Sequence, residues 1–282
     1  MNSLIRTIDV HHRGHPRAIA VFKLGDVLID CGPGSTVATL LEALGDERPR
    51  VLALTHIHLD HAGAAGALVE RFPELEVWVH DRGAPHLVDP SKLMASATRL
   101  YGDDMDRLWG TMIPVPAENV RVLHGGEQLG GLEVAYTPGH ASHHVSYRHP
   151  LTDTVFAGDV AGVRIPPSDY ILPPTPPPDI DLERWQESIA RLRAWSPQHL
   201  AVTHFGTFDD VGPHLDRISR GLEVVAQRAR TMTLEQFTVA AGEDVAAAGD
   251  AETVRAYTLG APPDQTYAGL VRYWSKRDAA AQ

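Results

Sequence analysis

The segment Thr55-His56-Ile57-His58-Leu59-Asp60-His61 places three imidazoles and a carboxylate within six consecutive positions, directly after an apolar run and before a stretch of small residues. In a chain with this His and Asp content, the pattern His-x-His-x-Asp-His arises by chance on the order of 0.004 times. Imidazole nitrogens and carboxylate oxygens are the donors that zinc and other borderline divalent ions prefer, and carrying several on one loop lowers the ordering cost of assembling a site. The motif also bears on the fold, because it directly follows an apolar stretch and precedes a small-residue helix.

Arg50 to Leu54 reads as a short buried strand ending at the histidines, and Ala62 to Phe72 as a helix stopped before Pro73. Upstream, Leu4 to Val10, Ala18 to Leu24 and Val27 to Asp30 read as a β-meander, with a tight turn at Gly25-Asp26. Downstream come a strand over Leu75 to His80 and a helix from Ser91 to Trp109 with an apolar face of Leu93, Met94, Ala97, Leu100 and Leu108. Short strands follow at Arg121 to Leu123, Leu132 to Thr137, Val145 to Arg148 and Thr154 to Ala157, broken by glycine pairs and Pro138-Gly139.

Seven prolines between Arg164 and Asp179 exclude a helix or a central strand there and predict an extended, semi-rigid loop. Asp179 or Asp181 can cap a helix reaching Trp195, with Leu182, Trp185, Ile189 and Leu192 as its apolar stripe. A buried strand at Leu200 to Thr203 and a helix carrying Leu215, Ile218, Leu222 and Val225 come next. The last fifty or so residues read as short helices joined at Gly249-Asp250 and Gly260-Ala261-Pro262-Pro263.

Three further metal-ligand types each end a predicted strand: His140 in Thr137-Pro138-Gly139-His140, Asp159 in Phe156-Ala157-Gly158-Asp159, and His204 in Ala201-Val202-Thr203-His204. Singly each is an ordinary polar residue; order and spacing together give them weight. With these residues the chain resembles the metallo-β-lactamase-fold hydrolase superfamily over roughly residues 1 to 230, including the metal motifs of its glyoxalase II and lactonase members. The resemblance implies an α/β fold of four layers, an αββα sandwich, as a catalytic domain over 1–230, with 231–282 a helical C-terminal extension packed on it.

It further implies two divalent ions, zinc foremost, with iron or manganese also suited. His56, His58 and His140 would hold one ion, Asp60, His61 and His204 the other, and Asp159 would bridge both. Asp30 matches a position that orients metal-bound imidazoles, and His144 one where the family often has a histidine. The activity implied is metal-dependent hydrolysis, in which a bridging hydroxide attacks an ester, thioester or lactone carbonyl of a small molecule and Asp60 handles the proton. Tyr170, in the proline-rich loop, is the residue there best able to reach a substrate oxygen. Two alternatives stay open: a mononuclear iron persulfide dioxygenase on the same fold, using the equivalents of His56, His140 and Asp159, and a non-catalytic metal-binding scaffold.

The formal charge of −11, without any Lys/Arg cluster, argues against nucleic acid as a partner. The apolar runs are too short to span a membrane, and Met1-Asn2-Ser3-Leu4-Ile5-Arg6 lacks a basic segment followed by an apolar one. A single cysteine, Cys31, cannot form an internal disulfide, which suits a cytoplasmic protein. Its neighbourhood suggests a small buried residue rather than a nucleophile. His11, His12, His15, His80, His86, His124, His149, His199 and His214 receive no role in chemistry. A homodimer contact through the C-terminal helices, with Tyr273 and Trp274, is left open.

Overall fold

A computed structural model describes residues 4–280; Met1, Asn2 and Ser3 of the N-terminal stretch discussed above lie outside the described residues, as do the last two. The chain divides into two compact units, one running to Tyr136 and including His143–Thr152, the other comprising Thr137–Ser142 and the residues from Asp153 onward.

The first unit is built on a mixed sheet of order β1 (Ile5–Asp9), β2 (Ala20–Leu24), β3 (Val27–Ile29), β4 (Val51–Ala53), β5 (Glu76–His80) and β6 (Val120–Leu123). The opening meander is antiparallel, with Leu24 paired to Val27 across the two-residue Gly25-Asp26 turn, where Gly25 takes φ +59°. From β3 to β6 the pairing is parallel. Leu28, Ile29, Leu52 and Ala53 are fully buried, so β3 and β4 read as uninterrupted apolar runs, as parallel strands covered on both faces do. This unit also contains the antiparallel meander β7 (Gln128–Leu129), β8 (Leu132–Tyr136) and β9 (Val145–His149); Gly130 and Gly131, both at positive φ, make its first turn.

Its helices are α1 (Val37–Leu44), α2 (Leu59–Ala62), α3 (Ala65–Arg71), α4 (Ala84–Val88), α5 (Ser91–Tyr101) and α6 (Met105–Leu108). Two differ from expectation. The helix expected over Ser91 to Trp109 is interrupted: Gly102, at φ +53°, ends α5, and a 3-10 turn leads into α6. None of α5 is fully buried, and Leu100 of its apolar face is exposed. The helix expected from Ala62 is split in two: α2 begins at Leu59, so that Asp60 and His61 lie inside its single turn, and α3 starts at Ala65. Helix α1 has no counterpart among the expected elements.

The second unit contains β10 (Thr154–Phe156), β11 (His199–Val202) and β12 (Gly206–Phe208) with α7 (Leu182–Ala194), α8 (Val211–Thr231), α9 (Leu234–Ala248), α10 (Ala251–Gly260) and α11 (Pro263–Ala280). Strands β10 and β11 are parallel, connected through α7, and β12 returns antiparallel, so this part is mixed as well. Asp181 rather than Asp179 caps α7, accepting the Arg184 N–H at 3.0 Å. Thr233 and Gln236 close a capping box on α9, and Asp250 caps α10.

One core joins Trp185, Ile189 and Leu192 of α7, Leu215, Ile218 and Leu222 of α8, Phe237 of α9 and Leu270 of α11. These positions recur at helical spacing, and each fully buried side chain contributes roughly 1.5–3 kcal/mol. Helices α9 and α11 therefore share their core with α7, α8 and β11. Among the described residues no helix is long and apolar enough to cross a membrane.

Candidate metal centre

In the first unit the ligand loop hangs from the ends of two adjacent parallel strands. Asp30 follows β3 and the histidine run follows β4; Asp30 N–H donates to Ala53 C=O at 3.1 Å and Cys31 N–H to His61 C=O at 2.8 Å. Asp30 sits at φ +58°, a conformation that Asp and Asn tolerate better than other side-chain-bearing residues, and it is 1% exposed. One of its oxygens accepts the Thr55 N–H at 2.8 Å, the other faces His61 Nδ1 at 2.7 Å, and the Thr55 hydroxyl lies 3.0 Å from both. A carboxylate only accepts, so His61 carries its proton on Nδ1 and presents the lone pair of Nε2.

The other donors of the run converge on the same place. His56 Nε2 and His58 Nδ1 are 2.9 Å apart, and His61 Nε2 is 3.8 Å from Asp60 Oδ2. The His56 and His61 rings lie 3.9 Å apart between centroids. His56 and His61 are buried, whereas the Asp60 side chain is 19% exposed and is the accessible carboxylate of the group. His144, also buried, stacks on His56 at 5.0 Å. Burial first, then the neighbouring Asp30, pushes the Cys31 thiol well above the ordinary range, so it stays protonated and is no nucleophile.

The second unit assembles another three donors. Asp159 lies in a 3-10 turn (Gly158–Ala161) directly after β10, and His204 comes two residues after β11. Asp159 directs one oxygen at each of two imidazoles: Oδ2 is 3.3 Å from His140 Nε2, and Oδ1 is 3.5 Å from His204 Nε2. All three are buried. His140 Nδ1 donates to the Pro174 carbonyl at 2.8 Å, which directs its Nε2 at Asp159.

Trp185 ties two of these loops together. Its indole N–H donates to Val160 C=O at 2.9 Å, its ring meets His140 edge-on at 5.4 Å, and a Cβ on Gly139 (φ +135°) would overlap its backbone. Arg164 N–H donates to His204 C=O at 2.5 Å and Arg164 C=O accepts the Phe205 N–H, while its buried guanidinium pairs with Asp169 and Asp210. His214 Nε2 donates to Ala161 C=O at 2.8 Å, bracing the turn that carries Asp159.

Each unit therefore brings its own predicted donors together: His56, His58, Asp60 and His61 with Asp30 and His144 in the first, and His140, Asp159 and His204 in the second. Within these sets His56 and His58, Asp60 and His61, and His140 and Asp159 each offer ligand atoms within 4.8 Å of one another. The donor chemistry, neutral imidazole and carboxylate without thiolate, fits divalent zinc, iron or manganese.

Tyr170 is placed among the C-terminal helices, edge-on to Tyr257 at 5.5 Å and lining a cavity of about 50 Å³ with Leu172, Val225, Phe237 and Val254. Burial raises its phenol far above the usual range. Sequence reasoning missed Thr55, the Pro174 carbonyl, Arg164 and His214. A hydroxyl next to the histidine motif is the only local signal that could have pointed to any of them.

Residues 23–200 match the model of a family described as the metallo-beta-lactamase superfamily. The metallo-beta-lactamase fold-containing protein ST1585 of Sulfurisphaera tokodaii is 31% identical over 189 residues, covering 64% of this chain and 68% of that protein. The crystal structure of ST1585, described as an archaeal metallo-beta-lactamase superfamily protein from Sulfolobus tokodaii, superposes with a TM-score of 0.68 over 91% of this chain and 97% of its own. Hydroxyacylglutathione hydrolase of Salmonella paratyphi A is 30% identical over 142 residues, 47% of this chain but only 43% of that enzyme. A structure of TTHA1623, described as di-iron-bound, is 27% identical with a TM-score of 0.50 over 78% of this chain and 96% of its own.

Proposed function

The chain belongs to the metallo-β-lactamase superfamily, and from that premise we propose that it is a metal-dependent hydrolase with a binuclear centre, acting on an ester, thioester or lactone carbonyl of a small molecule. In this reading His56, His58 and His140 hold one ion, Asp60, His61 and His204 the other, and Asp159 serves both. The observation that carries it is the Asp159 carboxylate, whose two oxygens face two different imidazole nitrogens at 3.3 and 3.5 Å. One oxygen directed at an imidazole of each proposed ligand set is the arrangement that a carboxylate shared by two ions takes. The di-iron form described for TTHA1623 and the thioester-type name of the hydroxyacylglutathione hydrolases support the same class.

Two divalent ions, when bound, lower the pKa of a water and polarise a carbonyl oxygen. The residues supply the rest. Asp30 and Pro174 hold His61 and His140 in the tautomer whose Nε2 can ligate. Asp60, with its carboxylate accessible, accepts the proton of the attacking water and returns it to the leaving group. Zinc is the ion we assign, with iron or manganese compatible with the same donors.

The test is metal analysis of purified protein together with turnover of ester, thioester and lactone panels. Two ions per chain and chelator-sensitive hydrolysis are expected. One iron per chain with oxygen uptake on a persulfide, or two ions with no turnover on any panel, would overturn the proposal.

A further inference from the structure

Residues 173–178 are Pro-Pro-Thr-Pro-Pro-Pro, so Thr175 is the only one of the six with a backbone N–H. Such a segment cannot tie itself in place with backbone donors, and its position is imposed from outside. Yet the Pro174 carbonyl within it sets the tautomer of His140 at 2.8 Å. Whatever fixes the segment therefore fixes the imidazole.

The C-terminal helices do this. The Thr175 hydroxyl, fully buried, donates to Thr266 C=O at 2.9 Å, where α11 begins. One turn on, Gly269 packs so closely that a Cβ there would overlap the Thr175 carbonyl and Pro176. Further along the same face, Arg272 Nε and Lys276 Nζ donate to Pro178 C=O at 3.3 and 3.2 Å. Positions 266, 269, 272 and 276 are a single helical stripe. The other end of the loop is held by α10: the buried Tyr257 hydroxyl donates to Tyr170 C=O at 2.6 Å and accepts the Ile165 N–H at 3.2 Å.

We propose that α10 and α11 are a positioning device for the metal centre: through Thr175, Gly269 and Tyr257 they mould the proline-rich loop so that the Pro174 carbonyl holds His140 Nδ1 and keeps its Nε2 directed at the Asp159 side of the site. Thr175, Gly269 and Tyr257 are positioning residues, acting on His140 through Pro174 rather than touching substrate. The idea rests on the metal-centre reading above, and one of its readouts does not need metal.

The experiment compares the full-length protein with Thr175→Val, Thr175→Ser, Gly269→Ala and Tyr257→Phe. Long-range ¹H–¹⁵N NMR of the metal-free proteins reads the His140 tautomer. Competition against a chromogenic chelator reads zinc affinity, and the visible spectrum of the cobalt(II) form reads the ligand set. In the wild type His140 carries its proton on Nδ1. Thr175→Val and Gly269→Ala populate the other tautomer and lose about tenfold in zinc affinity with an altered cobalt spectrum, Tyr257→Phe loses less, and Thr175→Ser retains wild-type behaviour.

Folded Thr175→Val and Tyr257→Phe proteins with unchanged tautomer, affinity and spectrum would overturn the inference, and so would a wild-type His140 protonated on Nε2. A wild type that binds no zinc but shows the expected tautomer shifts would sink the metal-centre reading and leave the positioning role standing.

Discussion

Replacing Asp30 by asparagine changes one oxygen to an NH₂ group and nothing in shape, and the surrounding hydrogen bonds dictate where that group goes. Thr55 N–H, a donor that cannot reverse, lies 2.8 Å from Oδ1 and requires an acceptor there. The amide NH₂ must then occupy the position of Oδ2, 2.7 Å from His61 Nδ1. It donates to Nδ1, the imidazole proton moves to Nε2, and the lone pair that would meet a metal is lost. Substitutions of this kind beside a metal-binding histidine cost about 10–100-fold in affinity, or about 1.4–2.7 kcal/mol. Because asparagine also tolerates φ +58°, the backbone gains no new strain, and the metal-free protein loses only a charge-assisted bond worth about 1.5–3 kcal/mol. Chelator competition measures the affinity, and thermal melting of the metal-free protein verifies the fold. A folded Asp30→Asn protein whose zinc affinity stays within about twofold of wild type would refute the tautomer argument.

Three further outcomes are expected. Burial, opposed by the hydrogen bond to Ala161 and reinforced by the nearby Arg164 cation, pushes His214 down to about 4, against about 6.5 in the unfolded chain. The unfolded state therefore binds more protons between these values, and about 3 kcal/mol of stability, fully present above pH 6.5, is lost as the pH falls through 4; urea melts from pH 4 to 7 should show that slope, and His214→Gln should flatten it. Gly139→Ala, which forces a Cβ into the Trp185 backbone at φ +135°, should cost more than about 2 kcal/mol in chemical denaturation; a loss below half that would mean the two segments yield easily. Asp60→Ala should lower turnover about 10²–10⁴-fold, and a variant retaining both ions and full activity would remove Asp60 from the proton-transfer role.

The strands around the motif were legible because a buried parallel strand needs an uninterrupted apolar run, and Val27–Ile29 and Val51–Ala53 supply one each. The C-terminal helices were legible from their joints, since Asp250 and the prolines after Gly260 are local signals. Helix α1 and the break at Gly102 were not. Val37–Leu44 is uniformly apolar apart from Thr39 and Glu42, so periodicity carries little there, and glycine permits a positive φ without demanding it.

The candidate site divides along the same line. His56, His58, Asp60 and His61 declare themselves because donor type and spacing are both local properties, and His140, Asp159 and His204 follow because each ends an apolar strand. Of the groups that hold their imidazoles in a ligating tautomer, Asp30 was marked out by the family resemblance alone, and the Pro174 carbonyl by nothing in the sequence. Asp30 is 31 residues from His61, and the Pro174 carbonyl is 34 residues from His140. Every residue has a carbonyl, and in sequence one is chemically indistinguishable from another. Only the packing of α10 and α11 against a loop poor in N–H donors decided which carbonyl would meet His140.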